Sequence, residues 1–258
     1  MPRFDRLELD SSQSRPDDRD GRADLIRDEH HWLRQAEAER RHGLYENALR
    51  FYSRSLELDK SQLAGWVGQV RMLIALDECP EAELWARKAL ELFKNHGDLL
   101  AGRAQALCRM KDRTQAIASC DAAMAQPEQS AYRWLVRGEV MVLTRSDVDR
   151  YCFDKAMQLE GDWLVPLEIA QVYLYHGYPS KALTYARRAV EKGPDQPYPW
   201  YFQGLCEREL DLHDTARRSF QRCLQIVPNH ADAGRNLLEM DQQGWSPVRA
   251  LRRLFRRS

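Results

Sequence analysis

Large apolar residues recur along the chain at a fixed spacing. One interval separates Trp32 from Trp66, Trp134 follows two such intervals later, and Trp200 falls just short of a further two intervals. A separate row of alanines shows the same spacing and the same shortening: Ala48, Ala82, Ala116, Ala182 and Ala216. The two rows together predict a repeat with a period of about 34 residues and a two-residue deletion near residues 147–150.

The period divides residues 29–230 into six segments, each predicted to form a helix, a tight turn and a second helix. The segments are 29–62, 63–96, 97–130, 131–162, 163–196 and 197–230. Small residues on both helices of a segment would let the pair approach closely, with ridges of one helix in grooves of the other. Gly43 and Gly177 are placed to end first helices in a left-handed cap. Pro194 and Pro228 are placed to end second helices.

The clearest segment is EHHWLRQAEAERRHGLYENALRFYSRSLELDKSQ, residues 29–62. It resembles the tetratricopeptide repeat (TPR) family, and the resemblance extends over roughly residues 29–230. The resemblance implies an all-α fold, a right-handed α-solenoid of about six helix-turn-helix repeats with C-terminal capping helices. The middle repeats depart from the family pattern at Pro127, at Asp147–Asp149 and at Pro166. We therefore expect the middle of the stack to be the most irregular part.

Residues 1–28 precede the repeats and are predicted to be disordered, because residues 11–22 are polar, charged and contain Pro and Gly. Phe4, Leu7 and Leu9 form a small apolar set before this stretch. They are either part of a frayed terminus or a short motif that folds back or binds a partner.

Residues 231–244 are predicted to form a capping helix with Leu237, Leu238 and Met240 turned inward, since a solenoid exposes its stacking face unless the last repeat is covered. Residues 245–258 are predicted to form a short basic amphipathic helix. Its five arginines are Arg249, Arg252, Arg253, Arg256 and Arg257. Three interpretations stay open for this helix: a second cap or protein contact, an anionic membrane surface, and nucleic acid.

The balance of charges and the spacing of the cysteines argue against several classes of protein. The chain has 39 Lys and Arg against 39 Asp and Glu, so its net charge of +0 argues against a nucleic-acid coat. Its six cysteines form no CxxC pair, which indicates reduced, structural thiols. The N-terminus has no apolar signal-peptide core, and no window is apolar enough to span a membrane. We expect a cytoplasmic protein.

Catalytic and metal-binding motifs are missing from the sequence. It contains no phosphate-binding glycine loop, no GxSxG, no HExxH and no GxGxxG. His30 and His31 are adjacent on a predicted helix and point about 100° apart, so they do not converge on one ion. Cys206, Glu209 and His213 are also scattered. We expect no metal, no cofactor and no enzymatic activity.

The family resemblance implies that first helices line a concave groove in which partners lie. The fifth and ninth positions of each repeat lack the Lys and Asn with which some members of the family grip a C-terminal carboxylate. The predicted groove is instead apolar and aromatic with local positive charge. Its residues are Leu33, Arg71, Arg109, Tyr132, Leu135, Leu167, Leu174, Tyr175, Tyr198, Tyr201, Leu205 and Arg208.

Aromatic residues and arginine are the types that dominate protein interfaces. The sequence therefore predicts a scaffold or assembly adaptor that holds a helix or extended peptide of another protein. The alternative is a peripheral membrane or nucleic-acid adaptor acting through the arginine-rich C-terminal helix. A regulatory subunit of an enzyme is a third reading, and self-association is left open.

Overall fold

The computed structural model describes residues 29–242, and these residues form thirteen α-helices and no β-strand. The helices are α1 (Glu29–Arg41), α2 (Tyr45–Leu58), α3 (Leu63–Ala75), α4 (Cys79–Leu92), α5 (Gly97–Arg109), α6 (Arg113–Met124), α7 (Ala131–Thr144), α8 (Asp149–Leu159), α9 (Leu164–Tyr175), α10 (Pro179–Lys192), α11 (Pro197–Glu209), α12 (His213–Ile226) and α13 (Ala231–Gln242). Within the described part of the chain, no helix has the length and apolarity needed to cross a bilayer.

The described residues fall into two compact units, unit 1 over residues 29–149 and unit 2 over residues 150–242. In unit 1 each helix from α1 to α7 packs against the next one along the chain, and the first helices α1, α3, α5 and α7 also pack in sequence on one another. In unit 2 the same holds from α9 to α13, with α9 also against α11. This connectivity is that of an all-α repeat solenoid, so the predicted fold class is confirmed.

Close approach between helices depends on pairs of small and large residues. The ring of Tyr52 lies so near the backbone of Gly68 that a Cβ added there would overlap it. Phe220 covers Gly204 in the same way, with its ring 2.6 Å from the position of an added Cβ. Small residues at equivalent repeat positions are buried in both units, and they include the first-helix alanines Ala36, Ala104 and Ala170 and the predicted second-helix alanines Ala48, Ala82, Ala116, Ala182 and Ala216. Interior packing of this density allows little change in side-chain volume.

The repeated tryptophans have a further role that the spacing did not reveal. The indole Nε1 of Trp66 donates a hydrogen bond of 2.8 Å to the carbonyl of Lys60, in the turn that precedes its own helix. Trp200 donates an equivalent bond of 2.8 Å to the carbonyl of Pro194. Each ring thus packs between helices while its polar edge fixes the turn between two repeats.

Every turn between the two helices of a repeat, over the described residues, contains one residue with a left-handed backbone. These residues are Gly43, Asp77, Lys111, Arg145, Gly177 and Asp211, with φ between 57° and 77°. In each turn the amide that follows this residue donates to a carbonyl five residues earlier, as Tyr178 does to Tyr173 at 2.8 Å. This is the Schellman arrangement, which satisfies the last carbonyls of a helix.

Only Gly43 and Gly177 were predicted to cap first helices in this way. Repeat four has Arg145 in place of glycine, yet Arg145 has φ 57° and the amide of Ser146 donates to the carbonyl of Met141 as in the other turns. The turn of repeat four is nevertheless longer than the others, because α8 begins at Asp149, four residues after Arg145, whereas the other second helices begin two residues after the left-handed residue.

Helix α13 corrects one detail of the predicted cap. Ala233 and Met240 are buried, and Leu237 packs against the core formed by α11, α12 and α13. Leu238, predicted to point inward, is 63% exposed. Ala233, Leu237 and Met240 share one face at spacings of four and three residues, whereas Leu238 lies about 100° away from Leu237 around the helix.

The contact between Gly204 and Phe220 can be tested by a single methyl group. We expect Gly204→Ala to lower the free energy of unfolding by about 1–3 kcal/mol, because the fully buried ring of Phe220 has no room to move. Gly234→Ala is the matched control: a Cβ there meets nothing within 4 Å, and alanine favours the helix. Thermal unfolding followed by circular dichroism gives both values. Equal melting temperatures for the two variants would contradict the packing argument.

Candidate partner-binding face

The twelve predicted groove residues lie on the first helices α1, α3, α5, α7, α9 and α11. We call these residues, together with the ninth-position residues Glu37, Gln105, Glu139 and Gln171, the first-helix face. The two units use this face differently, and each is described separately.

In unit 1 the centre of the first-helix face is occupied by a network of polar side chains. The Arg71 guanidinium lies 4.2 Å from the centre of the Tyr132 ring. The Tyr132 hydroxyl donates to Gln105 at 2.8 Å, and Gln105 Nε2 donates to Glu139 at 2.7 Å. Arg109 Nε donates to the other carboxylate oxygen of Glu139 at 2.9 Å. The chain of contacts links α3, α5 and α7.

Glu139 is the centre of this network and has 0% exposure. A buried carboxylate is tolerated only where it is paired and hydrogen-bonded. Arg109 provides the opposite charge and is itself anchored by a second bond, from its Nη1 to the carbonyl of Ile74 at 2.9 Å. Three predicted groove residues, Arg71, Arg109 and Tyr132, therefore belong to one network within unit 1, in which Gln105 and Glu139 connect Tyr132 to Arg109.

The remaining predicted residues of unit 1 also contribute to packing. Leu135 is buried, and Leu33 is half-buried against the core of the first repeats. Next to it, Glu37 accepts a hydrogen bond from the Tyr52 hydroxyl and pairs with Arg40. Glu37 keeps half of its side chain exposed. Partial desolvation by its neighbours favours the neutral acid, but Arg40, the Tyr52 hydroxyl and Arg71 outweigh it and lower the pKa of Glu37. Glu37 is thus held in its charged form.

In unit 2 aromatic side chains form the centre of the face. The rings of Tyr198 and Tyr201 stack with centroids 6.2 Å apart, and Tyr201 lies 5.0 Å from the ring of His230. Gln171 Nε2 donates to the Tyr198 hydroxyl at 3.0 Å, which joins α9 to α11. Tyr198 is buried, whereas Tyr201 keeps part of its ring accessible.

Accessibility differs among the other predicted residues of unit 2. Leu167 has 0% exposure and belongs to the core. Leu174 and Leu205 are half-buried, and Tyr175 is 44% exposed at the end of α9. The accessible members of the face in unit 2 are thus apolar or aromatic.

Arg208 connects α11 to α13. Its guanidinium donates to Asn236, and its Nη1 lies 3.5 Å from a carboxylate oxygen of Glu239. Arg208 is only partly exposed, so it provides a positive charge beside the accessible apolar residues while holding the last helix in place.

Glu207 is a buried acid that the sequence did not single out. It is 2% exposed and accepts hydrogen bonds from Ser219 Oγ at 2.7 Å and from Gln203 Nε2 at 3.1 Å. Glu207 lies three residues after the small-residue position Gly204 on α11, so it shares the buried face of that helix. This spacing was the sequence signal from which its burial could have been predicted. Gln105 and Glu139 occupy the ninth position of their repeats, but a repeat position does not reveal that two such side chains meet.

The cysteines offer no reactive thiol among the described residues. All six are buried. Burial raises the pKa of Cys79 to about 11 and that of Cys206 to about 12, so neither thiolate is populated near neutral pH.

The predicted basic helix lies outside the described residues. This includes all five of its arginines: Arg249, Arg252, Arg253, Arg256 and Arg257. The N-terminal segment, residues 1–28, is outside them as well.

Residues 167–231 match the model of the tetratricopeptide repeat family, across the region that forms α9 to α12. This part of the chain therefore consists of tetratricopeptide repeats. No curated protein matches the chain.

Solved structures share the TPR fold over most of the chain. A tetratricopeptide repeat protein from Parabacteroides merdae is 15% identical, with 83% of this chain and 84% of that chain aligned at a TM-score of 0.50. A thermophilic TPR protein from Thermus thermophilus is 20% identical, with 75% and 99% aligned at a TM-score of 0.51. At these identities the likeness establishes the fold alone.

The network around Glu139 should be a major source of stability in unit 1. We expect Glu139→Ala to cost about 3–5 kcal/mol, because it leaves the partly buried Arg109 guanidinium without its carboxylate. Glu139→Gln keeps an acceptor and should cost less. Urea unfolding measures both. Glu91→Ala, at an exposed site on α4, is the control and should change the free energy of unfolding by less than about 0.5 kcal/mol. If Glu139→Ala behaves like this control, the network is not stabilising.

Proposed function

We propose that the protein is a non-enzymatic scaffold or assembly adaptor that holds a helix or an extended segment of a partner protein against the first-helix face of unit 2. The TPR fold supports a general role in protein binding. The accessible side chains of the face support the choice of unit.

The main support for this proposal is that the face residues are accessible in unit 2 but largely engaged or buried in unit 1. In unit 1 the predicted groove residues are engaged by Glu139 and its partners or are buried by packing. In unit 2 Tyr175, Tyr201, Leu174 and Leu205 keep accessible apolar surface on α9 and α11. Apolar surface of this kind lowers the free energy of a complex when a partner covers it.

The chemistry of the accessible residues suits a peptide or helix. Tyrosine and arginine are enriched among the residues that dominate binding energy, and leucine adds apolar area around them. Arg208, with Glu239 beside it, lies next to this apolar group and offers polar contacts at its edge. An amphipathic helix with an apolar stripe and a charged flank matches this arrangement.

The proposal is tested first by substituting Tyr175. Because Tyr175 is 44% exposed, Tyr175→Ala should leave the melting temperature nearly unchanged. If Tyr175 is a hot spot of the interface, binding to a partner recovered from native lysate should weaken by about 1–3 kcal/mol. Isothermal titration with the purified partner gives the dissociation constant.

Tyr151→Ala is the matched control, since Tyr151 is a similarly accessible tyrosine, 55% exposed, on the second helix α8. Tyr201→Ala is a second test of the face, although it also removes a contact with Phe220 and should lower stability. A partner that binds the Tyr175 and Tyr201 variants with the wild-type constant would show that it docks elsewhere. Recovery of no protein partner, with retained binding of a small molecule, would refute the scaffold proposal itself.

A further inference from the structure

A cleft of about 600 Å³ lies between the turns of repeats three and four in unit 1. It is lined by Lys111, Arg113, Leu143, Thr144 and Arg145. Three of these five residues are cationic and none is acidic. Lys111, Arg113 and Arg145 are all exposed, so their charged ends are accessible to a ligand.

Lys111 and Arg145 occupy the turn position at which a left-handed backbone is required. Four of the six equivalent positions hold glycine or aspartate, which adopt this conformation more readily than other residues. The two that hold a long cationic side chain, with φ 65° and 57°, are consecutive in the stack and face the same cleft. The chain thus places its cations where the backbone disfavours them.

Stabilisation of helix ends does not account for these cations. A positive charge near the last turn of a helix interacts favourably with its carbonyls. The same reasoning would apply to α3 and α11, but their turns hold Asp77 and Asp211 at the equivalent position. A charge of either sign is therefore compatible with the turn. Helix-end stabilisation does not explain why Lys111 and Arg145, both positively charged, face one cleft.

Arg113 is fixed across the cleft. Its Nη2 donates to the carbonyl of Leu143 at 2.7 Å, which ties the start of α6 to the end of α7. The one carboxylate between Lys111 and Arg113 is directed elsewhere: Asp112 accepts from the backbone and side-chain amides of Gln115 at 3.1 and 2.8 Å. The remaining donors of Arg113 and the two flanking cations have no competing carboxylate in the lining of the cleft.

We propose that this cleft binds an anionic segment of a partner polypeptide, with a phosphoserine or a cluster of acidic side chains held by Lys111, Arg113 and Arg145. Guanidinium and ammonium groups form charge-assisted hydrogen bonds with phosphate and carboxylate oxygens. A nucleic-acid strand needs an extended row of cations, whereas Asp77 precedes Lys111 in the row of turns and reverses the sign. The site is separate from the first-helix face and does not rest on the function proposed for it.

A double variant separates binding from folding. Glycine adopts the left-handed backbone without the steric cost that a Cβ adds, so Lys111→Gly/Arg145→Gly should melt no lower than the wild type. The probe is a fluorescein-labelled peptide with one phosphoserine flanked by glutamates, and its binding to the full-length protein is measured by fluorescence anisotropy. A peptide with serine and glutamine at the same positions serves as the neutral control. We expect the double variant to bind the phosphopeptide at least about tenfold more weakly than the wild type.

The matched control is Lys60→Gln/Lys94→Gln, which removes two exposed positive charges of unit 1 outside the cleft and should keep wild-type affinity. An equal loss in both double variants would mean general electrostatic attraction and overturn the proposal. Unchanged binding in the cleft variant would place the peptide elsewhere, for example on the C-terminal arginines, and would also overturn it. If an oligonucleotide or anionic vesicles bind through Lys111 and Arg145 and the phosphopeptide does not, the assignment to a polypeptide is wrong. Tyr175→Ala should leave phosphopeptide binding unchanged. The proposal for the cleft and the proposal for the first-helix face can therefore be refuted independently.

Discussion

The distance at which neighbouring helices approach one another is the constraint on which the rest of this structure depends. Gly68 under the ring of Tyr52 and Gly204 under the ring of Phe220 leave no room for a methyl group. Interiors packed at this density do not adjust to added volume, so the spacing of the helices is determined within each unit. That spacing in turn decides how sharply the chain must reverse and which side chains of successive first helices meet.

The reversal of chain direction between the two helices of a repeat explains why residues of very different chemistry adopt the same left-handed backbone conformation there. Once two helices are held side by side by their packing, the turn between them has little freedom, and the residue at its end must be left-handed. Asp77, Lys111 and Arg145 adopt this conformation because its free-energy cost is small compared with the free energy gained when the helices they join are buried against each other. The edge of the solenoid can therefore vary in charge without loss of the fold.

The first-helix face shows how one set of repeat positions can take two forms. In unit 1 the ninth-position residues Gln105 and Glu139 meet each other and Arg109, and the pairing compensates the cost of burying a charge. In unit 2 the equivalent positions hold Gln171 and Leu205, and Leu205 has no polar group to pair, so apolar surface stays accessible there. If the proposed function is right, equivalent repeat positions stabilise the fold in unit 1 and bind the partner in unit 2.

The repeat period, the close-packed alanines and the apolar face of each helix could all be predicted, because they follow from local spacing along a single helix. The burial of Glu139 could not be predicted, and neither could the shared cleft of Lys111 and Arg145 or the exposure of Leu238. Helical periodicity states which residues share a face of one helix. It does not state which residue of a helix in the next repeat lies opposite them. That is decided only when the repeats stack, since the packing of large residues on small ones sets the distance and rotation between helices.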